Sequence, residues 1–130
     1  MARRSSKRRK ARNAGYRSGF EQEVAALAKA SGIKLKYEAL RIEYTGKPRH
    51  YTPDFLLSND IIVETKGRFT ASDRAKHLAI KEQRPAIEIR FVFQQDNFLY
   101  TGSNTRYSDW CEQHGFIFAI GSIPKGWSEE

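Results

Sequence analysis

The chain has 130 residues, is 39% hydrophobic and 12% aromatic, and is therefore sized for one domain that buries roughly two-thirds of its unfolded surface. Twenty-three Lys and Arg against fifteen Asp and Glu give a net charge of +8 and a pI near 9.8, so nucleic acid is the first partner to expect. No uninterrupted apolar run approaches the length of a spanning helix and no apolar segment follows the basic start, which predicts a soluble cytoplasmic protein with no membrane partner. Cys111 is the single cysteine. It has no disulfide partner, and with His114 it falls short of the four ligands of a closed zinc site, so it reads as reduced and structural.

The charge is concentrated at the start. Arg3, Arg4, Lys7, Arg8, Arg9, Lys10 and Arg12 place seven of the 23 basic residues in the first twelve positions; the remaining 16 are nearly balanced by the 15 acids. Residues 1–14 therefore read as a disordered basic arm that condenses on a phosphate backbone, with a solubilising or localisation tail as the plainer alternative. Residues 15–130 read as the folded domain.

Ser18 and Glu21 have capping-box spacing, and Phe20, Val24, Leu27 and Ala28 recur at helical intervals, which predicts a helix over Ser18 to Ala30. Ile33, Leu35 and Tyr37 alternate with charged residues as in a strand, continued by Ile42 and Tyr44 after an irregularity. Gly46-Lys47-Pro48 breaks the pattern. Tyr51 to Leu57 and Ile61 to Thr65 are apolar runs split by the turn-forming Ser58-Asn59-Asp60. Thr70 or Ser72 caps a helix to about Gln83, stopped by Pro85. Ile87 to Phe93 reads as a strand, 94–104 as loop, Tyr107 to His114 as a helix closed by Gly115, and Phe116 to Ile120 as a last strand. This order implies an α/β fold, a mixed sheet covered by helices.

The central hairpin carries the unusual charges. A three-residue turn pairs Leu57 with Ile61, and counting outward puts Asp54 opposite Glu64, with Lys66 on the same face. Adjacent carboxylates repel unless a cation lies between them, and hard oxygen ligands favour Mg²⁺ or Mn²⁺. Lys66 alone could be that cation, which leaves a structural ion-pair network as an alternative to a catalytic site.

Pro53-Asp54, nine residues, then Glu64-Thr65-Lys66 resembles the PD-(D/E)xK nuclease signature. More narrowly, Tyr16-Arg17-Ser18-Gly19-Phe20-Glu21, His50-Tyr51-Thr52-Pro53-Asp54-Phe55-Leu56-Leu57, Val63-Glu64-Thr65-Lys66-Gly67 and Cys111-Glu112-Gln113-His114-Gly115 are similar to the phage endonuclease I family of Holliday-junction resolvases. The resemblance implies a restriction-endonuclease-like fold in an intertwined, strand-swapped homodimer, the chain crossing between halves at Glu43 to His50. It implies metal-dependent cleavage of branched DNA to 5′-phosphate and 3′-hydroxyl ends. Asp54, Glu64 and the Thr65 carbonyl would bind one Mg²⁺ (or Mn²⁺), Glu21 from the partner subunit would share a second ion with Asp54, and Lys66 would assist.

Plainer roles stand beside these. Glu21 fits as a capping glutamate. Arg74, Lys76 and His77 follow the hairpin on a helix that could face phosphates or solvent, while His50 and His114 read as packing or surface residues. No P-loop or G-x-S-x-G motif is present, so no nucleotide cofactor is expected. A nicking or intron-associated endonuclease acting on duplex DNA, and a noncatalytic DNA-binding protein, are the competing functions.

Overall fold

The computed structural model describes residues 15–44 and 49–130. The basic arm, with Arg3, Arg4, Lys7, Arg8, Arg9, Lys10 and Arg12, and the Gly46-Lys47-Pro48 break lie outside the described residues.

Helix α1 (Gly19–Ala30) begins where Ser18 accepts a hydrogen bond from the Glu21 amide, as the capping spacing predicts. Strands β1 (Leu35–Tyr37), β4 (Phe55–Leu57) and β5 (Ile62–Lys66) form an antiparallel meander. Strands β6 (Ile89–Phe93) and β7 (Phe118–Ile120) extend it in parallel, giving the order β1-β4-β5-β6-β7. Helix α2 (Ala71–Gln83), with a full Thr70–Asp73 capping box, makes the β5-to-β6 crossover. Helix α3 (Tyr107–His114), ended by Gly115 in the left-handed conformation at φ 73°, makes the β6-to-β7 crossover. The mixed α/β sheet is the expected one.

Three expectations change. Ile42 and Tyr44 do not continue β1: the backbone turns at Glu38, φ 45°, and β2 (Ile42–Tyr44) pairs instead with β3 (Arg49–Tyr51) in a separate ribbon. The run Tyr51 to Leu57 is two strands, because Pro53 has no amide to donate to a ladder; Tyr51 belongs to the ribbon and Phe55 to the sheet. The last two strands start two residues later than their apolar runs, and Lys125–Glu129 form an unforeseen 3₁₀ turn.

Alternation along the strands builds two cores. Phe55, Leu57, Val63 and Val92 pack with Val24 and Ala28 of α1 and with Trp127. On the opposite face Ile62, Phe91 and Phe93 pack with Phe69, Ile80 and Trp110. Cys111 is free and buried in that second core. With both faces covered, polar groups in the hairpin, Asp54, Glu64 and Thr65 among them, are withdrawn from water. Among the described residues no helix is long and apolar enough to cross a membrane.

Candidate active site

Leu57 donates its amide to the Ile61 carbonyl at 2.9 Å, and the ladder continues through Leu56↔Ile62 and Phe55↔Val63. The next step outward sets Asp54 against Glu64, as the turn length predicts. Regular β4 pairing ends at Phe55, whereas β5 goes on to Lys66 alongside β6 alone. The chemistry-bearing side chains therefore collect where the hairpin opens.

There the Asp54 amide donates to Glu64 Oε2 at 3.3 Å. Thr65 donates to Asp54 Oδ2 through both its amide, at 2.9 Å, and its hydroxyl, at 2.8 Å. Lys66 Nζ lies 3.4 Å from Glu64 Oε1 and 3.3 Å from Asp73 Oδ1. Glu21 from α1 and Lys76 from α2 line the same concavity, of about 340 Å³. One chain thus brings Glu21, Asp54, Glu64, Thr65 and Lys66 together, so Glu21 stands beside the hairpin of its own chain, where the resemblance implied a partner's residue. Its position follows from α1 packing on the Phe55–Val63 face of the sheet.

The electrostatics are those of charges held out of water. Burial, then Glu64 and Glu21, push the Asp54 carboxyl up to about 8 against the opposing Thr65 hydrogen bonds. Burial also pushes Glu64 up, although Lys66, the Tyr51 hydroxyl and Lys76 pull the other way. Burial pulls the Lys66 pKa down, but Glu64, Asp73 and Asp54 outweigh that pull and raise it. Lys66 is therefore a fixed cation at neutral pH, suited to holding negative oxygen and unsuited to taking a proton.

Four contributors escaped the sequence reading. Tyr51, 2% exposed, donates its hydroxyl to Glu64 Oε2 at 2.6 Å. Tyr37 donates to Glu21 Oε2, which also accepts the Arg17 amide at 3.1 Å; Glu21 is thus tied to Arg17 and Tyr37, while the Ser18 side chain supplies the helix cap. The Arg17 guanidinium, paired with Glu38, stands 3.8 Å from Asp54 Oδ1. Asp73 both caps α2 and holds Lys66. Phe55-to-Tyr37 ring packing at 5.5 Å fixes one of these tyrosines, but none lies at a spacing that announces a site.

The helix expected to face phosphates divides. Lys76 reaches the concavity and places Nζ 5.2 Å from the centre of the Tyr51 ring. Arg74 is half-buried and donates to the Phe69 carbonyl at 2.7 Å. His77 is fully buried between Tyr51 and Phe91, edge-on to both rings, and cannot be a DNA contact. Residue 77 falls on the core-facing side of the helix, one turn before Ile80, and the helical charge pattern alone does not show this.

Among the described residues no three His, Cys, Asp or Glu side chains stand as a preformed metal cage. Mg²⁺, however, commonly uses one or two carboxylates and completes its shell with water and substrate phosphate. Two carboxylates, of which Asp54 has its pKa raised first by burial and then by repulsion from Glu64, are a donor set that a divalent cation would relieve.

The chain is matched over residues 1–130 by the model of the family described as phage endonuclease I. It is 48% identical over 112 residues to endodeoxyribonuclease 1 of Enterobacteria phage T3, covering 84% of this chain and 74% of that protein. It is 46% identical over 118 residues to endonuclease I of Escherichia phage T7, covering 88% of this chain and 79% of that protein. The hairpin-end cluster of acids and lysine therefore sits in a chain that belongs to the phage endonuclease I family.

Proposed function

We propose that this protein is an endodeoxyribonuclease that hydrolyses phosphodiesters in branched DNA such as four-way junctions, leaving 5′-phosphate and 3′-hydroxyl ends in the cytoplasm of a phage-infected host. The observation that carries the reading is the buried Asp54–Glu64 pair set by the hairpin register, with Lys66 beside it in one concavity.

Asp54 and Glu64 would hold one Mg²⁺, or Mn²⁺, with the Thr65 carbonyl; Glu21 and Asp54 would share a second. When bound, the divalent cation supplies Lewis acidity toward phosphate oxygens and acidifies water. The side chains do the rest. Thr65 fixes the orientation of Asp54, Tyr51 fixes Glu64, and Asp73 braces Lys66 so that its ammonium faces the charge that builds on the phosphorane. Arg17 and Lys76 attract the phosphate backbone to the concavity, and the basic arm adds a sequence-independent grip.

A homodimer that exchanges residues 15–44 for those of a second copy keeps every contact described above while joining two sites, since swapping replaces each contact within a chain by the same contact between chains. Two coupled sites suit a substrate with two strands to cut.

The test is nicking of a four-way junction and of a matched linear duplex at equal salt, with Mg²⁺ and with EDTA. The junction is cut preferentially, EDTA stops it, and Asp54→Asn and Glu64→Gln lose cleavage while retaining junction binding. Equal cutting of the duplex would replace branch selectivity with a duplex-nicking function, and metal-dependent cutting by Asp54→Asn would remove the assigned site.

A further inference from the structure

Beside the active-site concavity lies a second one, of about 510 Å³, bounded by Arg41, Glu43, His50 and Arg84. His50 borders both. Within the second concavity the single carboxylate, Glu43, is engaged by His50 at 3.2 Å. The Arg84 Nε donates to the Glu43 backbone carbonyl at 3.3 Å, not to its carboxylate. Arg41 and Arg84 are both exposed. Neither guanidinium has a carboxylate within ion-pair distance among the described residues.

The placement of the two basic centres along α2 sets a length. Lys76 lies at the active site and Arg84 caps the same helix eight residues on, a rise of about 12 Å at 1.5 Å per residue. One strand of B-form DNA advances about 3.4 Å per nucleotide, so the two ends are about three to four nucleotides apart. His50 of the β2–β3 ribbon and Arg41, just before β2, line the same concavity as Arg84.

We infer that the Arg41–His50–Arg84 concavity is a phosphate-binding subsite that grips the cut strand about three to four nucleotides from the scissile bond. The subsite rests on the nuclease reading of the Asp54–Glu64 centre. It explains why a polar ribbon is built out from the sheet next to the site: it provides the second wall of a backbone track. Two guanidiniums with no carboxylate partner among the described residues can grip a phosphate through paired N–H donors. Such contacts place the strand without reading its sequence.

The test uses the full chain and a synthetic four-way junction. Binding is measured in EDTA from 50 to 200 mM salt for the wild type, Arg41→Gln/Arg84→Gln and Arg41→Lys/Arg84→Lys. Removing both charges should lower the slope of log K against log salt by about 0.9, the loss of one phosphate contact. The Lys pair should keep the wild-type slope, and both variants should melt at the wild-type temperature. A neutral methylphosphonate three or four nucleotides from the bond the wild type cuts should weaken the wild type about tenfold and leave the Gln pair unchanged. An unchanged salt slope in the Gln pair, or the same methylphosphonate loss in both proteins, overturns the subsite. A wild type that binds with the predicted slopes but never nicks overturns the nuclease reading instead, so the two failures are told apart.

Discussion

Tyr51 and Glu64 come from different sheets, yet the Tyr51 hydroxyl donates to Glu64 Oε2 at 2.6 Å from a fully desolvated position. Because Tyr51 lies in the ribbon and Glu64 in the central strand, this bond ties the orientation of a candidate metal ligand to the docking of the ribbon. His77 stands edge-on to the Tyr51 ring and is itself backed by Phe91. Tyr51→Phe keeps the ring and removes the donor. The expected result is an approximately tenfold rise in the Mg²⁺ concentration for half-maximal nicking, in the range for outer partners of metal ligands, with junction affinity in EDTA unchanged. A parallel rise in the metal-binding midpoint, read by calorimetry without DNA, locates the defect in Glu64 and not in turnover.

Asp54 couples the site to stability. Its folded pKa, about 8, lies above its ordinary value of 3.8, so the folded state holds a proton that the unfolded state has released throughout that window. Stability of the metal-free protein must therefore fall as pH rises from about 4 to about 8. Asp54→Asn should remove much of that decline and stabilise the metal-free protein at pH 8, because the buried site no longer has to hold that charge. Thermal melts in EDTA at pH 5 and pH 8 measure it; adding Mg²⁺ should narrow the gap by stabilising only the wild type.

His77 acts in the opposite direction. Burial, then Lys66 and Lys76, pull its pKa down from 6.5 to about 3, so the unfolded state binds a proton below pH 6.5 that the folded state refuses. Stability drops as pH falls from about 6.5 toward 3. Neither ring nitrogen has a hydrogen-bond partner among the described residues. His77→Leu should flatten the acid side of the melting profile and leave the protein at least as stable at pH 7, since it removes unsatisfied polar atoms at a cost of about 1 kcal/mol of packing or less. Urea midpoints at pH 4.5 and pH 7 provide the check.

Glu21 provides the test of whether the proposed dimer shares its sites. In a mixed dimer of Glu21→Ala and Asp54→Ala chains, exchange of residues 15–44 assembles one complete site, and nicking should return to about half the wild-type rate. If each chain instead completes its own site, both sites lack a ligand and the mixed dimer is as inactive as either parent, because residues acting as a unit fail together. Single-turnover nicking of a labelled junction by tag-purified heterodimer reads the difference.

Local spacing in the sequence determined the core of the site. Three turn residues between Leu57 and Ile61 fix a register, strand geometry then forces Asp54 against Glu64 and Lys66 onto one face, and Thr70, Ser18 and Gly115 mark helix ends through short-range hydrogen bonding or backbone conformation. These features depend on contacts a few residues apart along the chain. Tertiary structure decided what depends on contacts between distant segments. Whether Ile42 and Tyr44 extend β1 or pair with a new strand turned on the backbone at Glu38, and the side of α2 that faces the core buried His77 and left the half-buried Lys76 lining the concavity. Tyr37, Tyr51, Arg17 and Asp73 join the site from four separate places because their partners are carboxylates or an ammonium that folding has stripped of water, a demand that exists only once the two cores have closed around the hairpin.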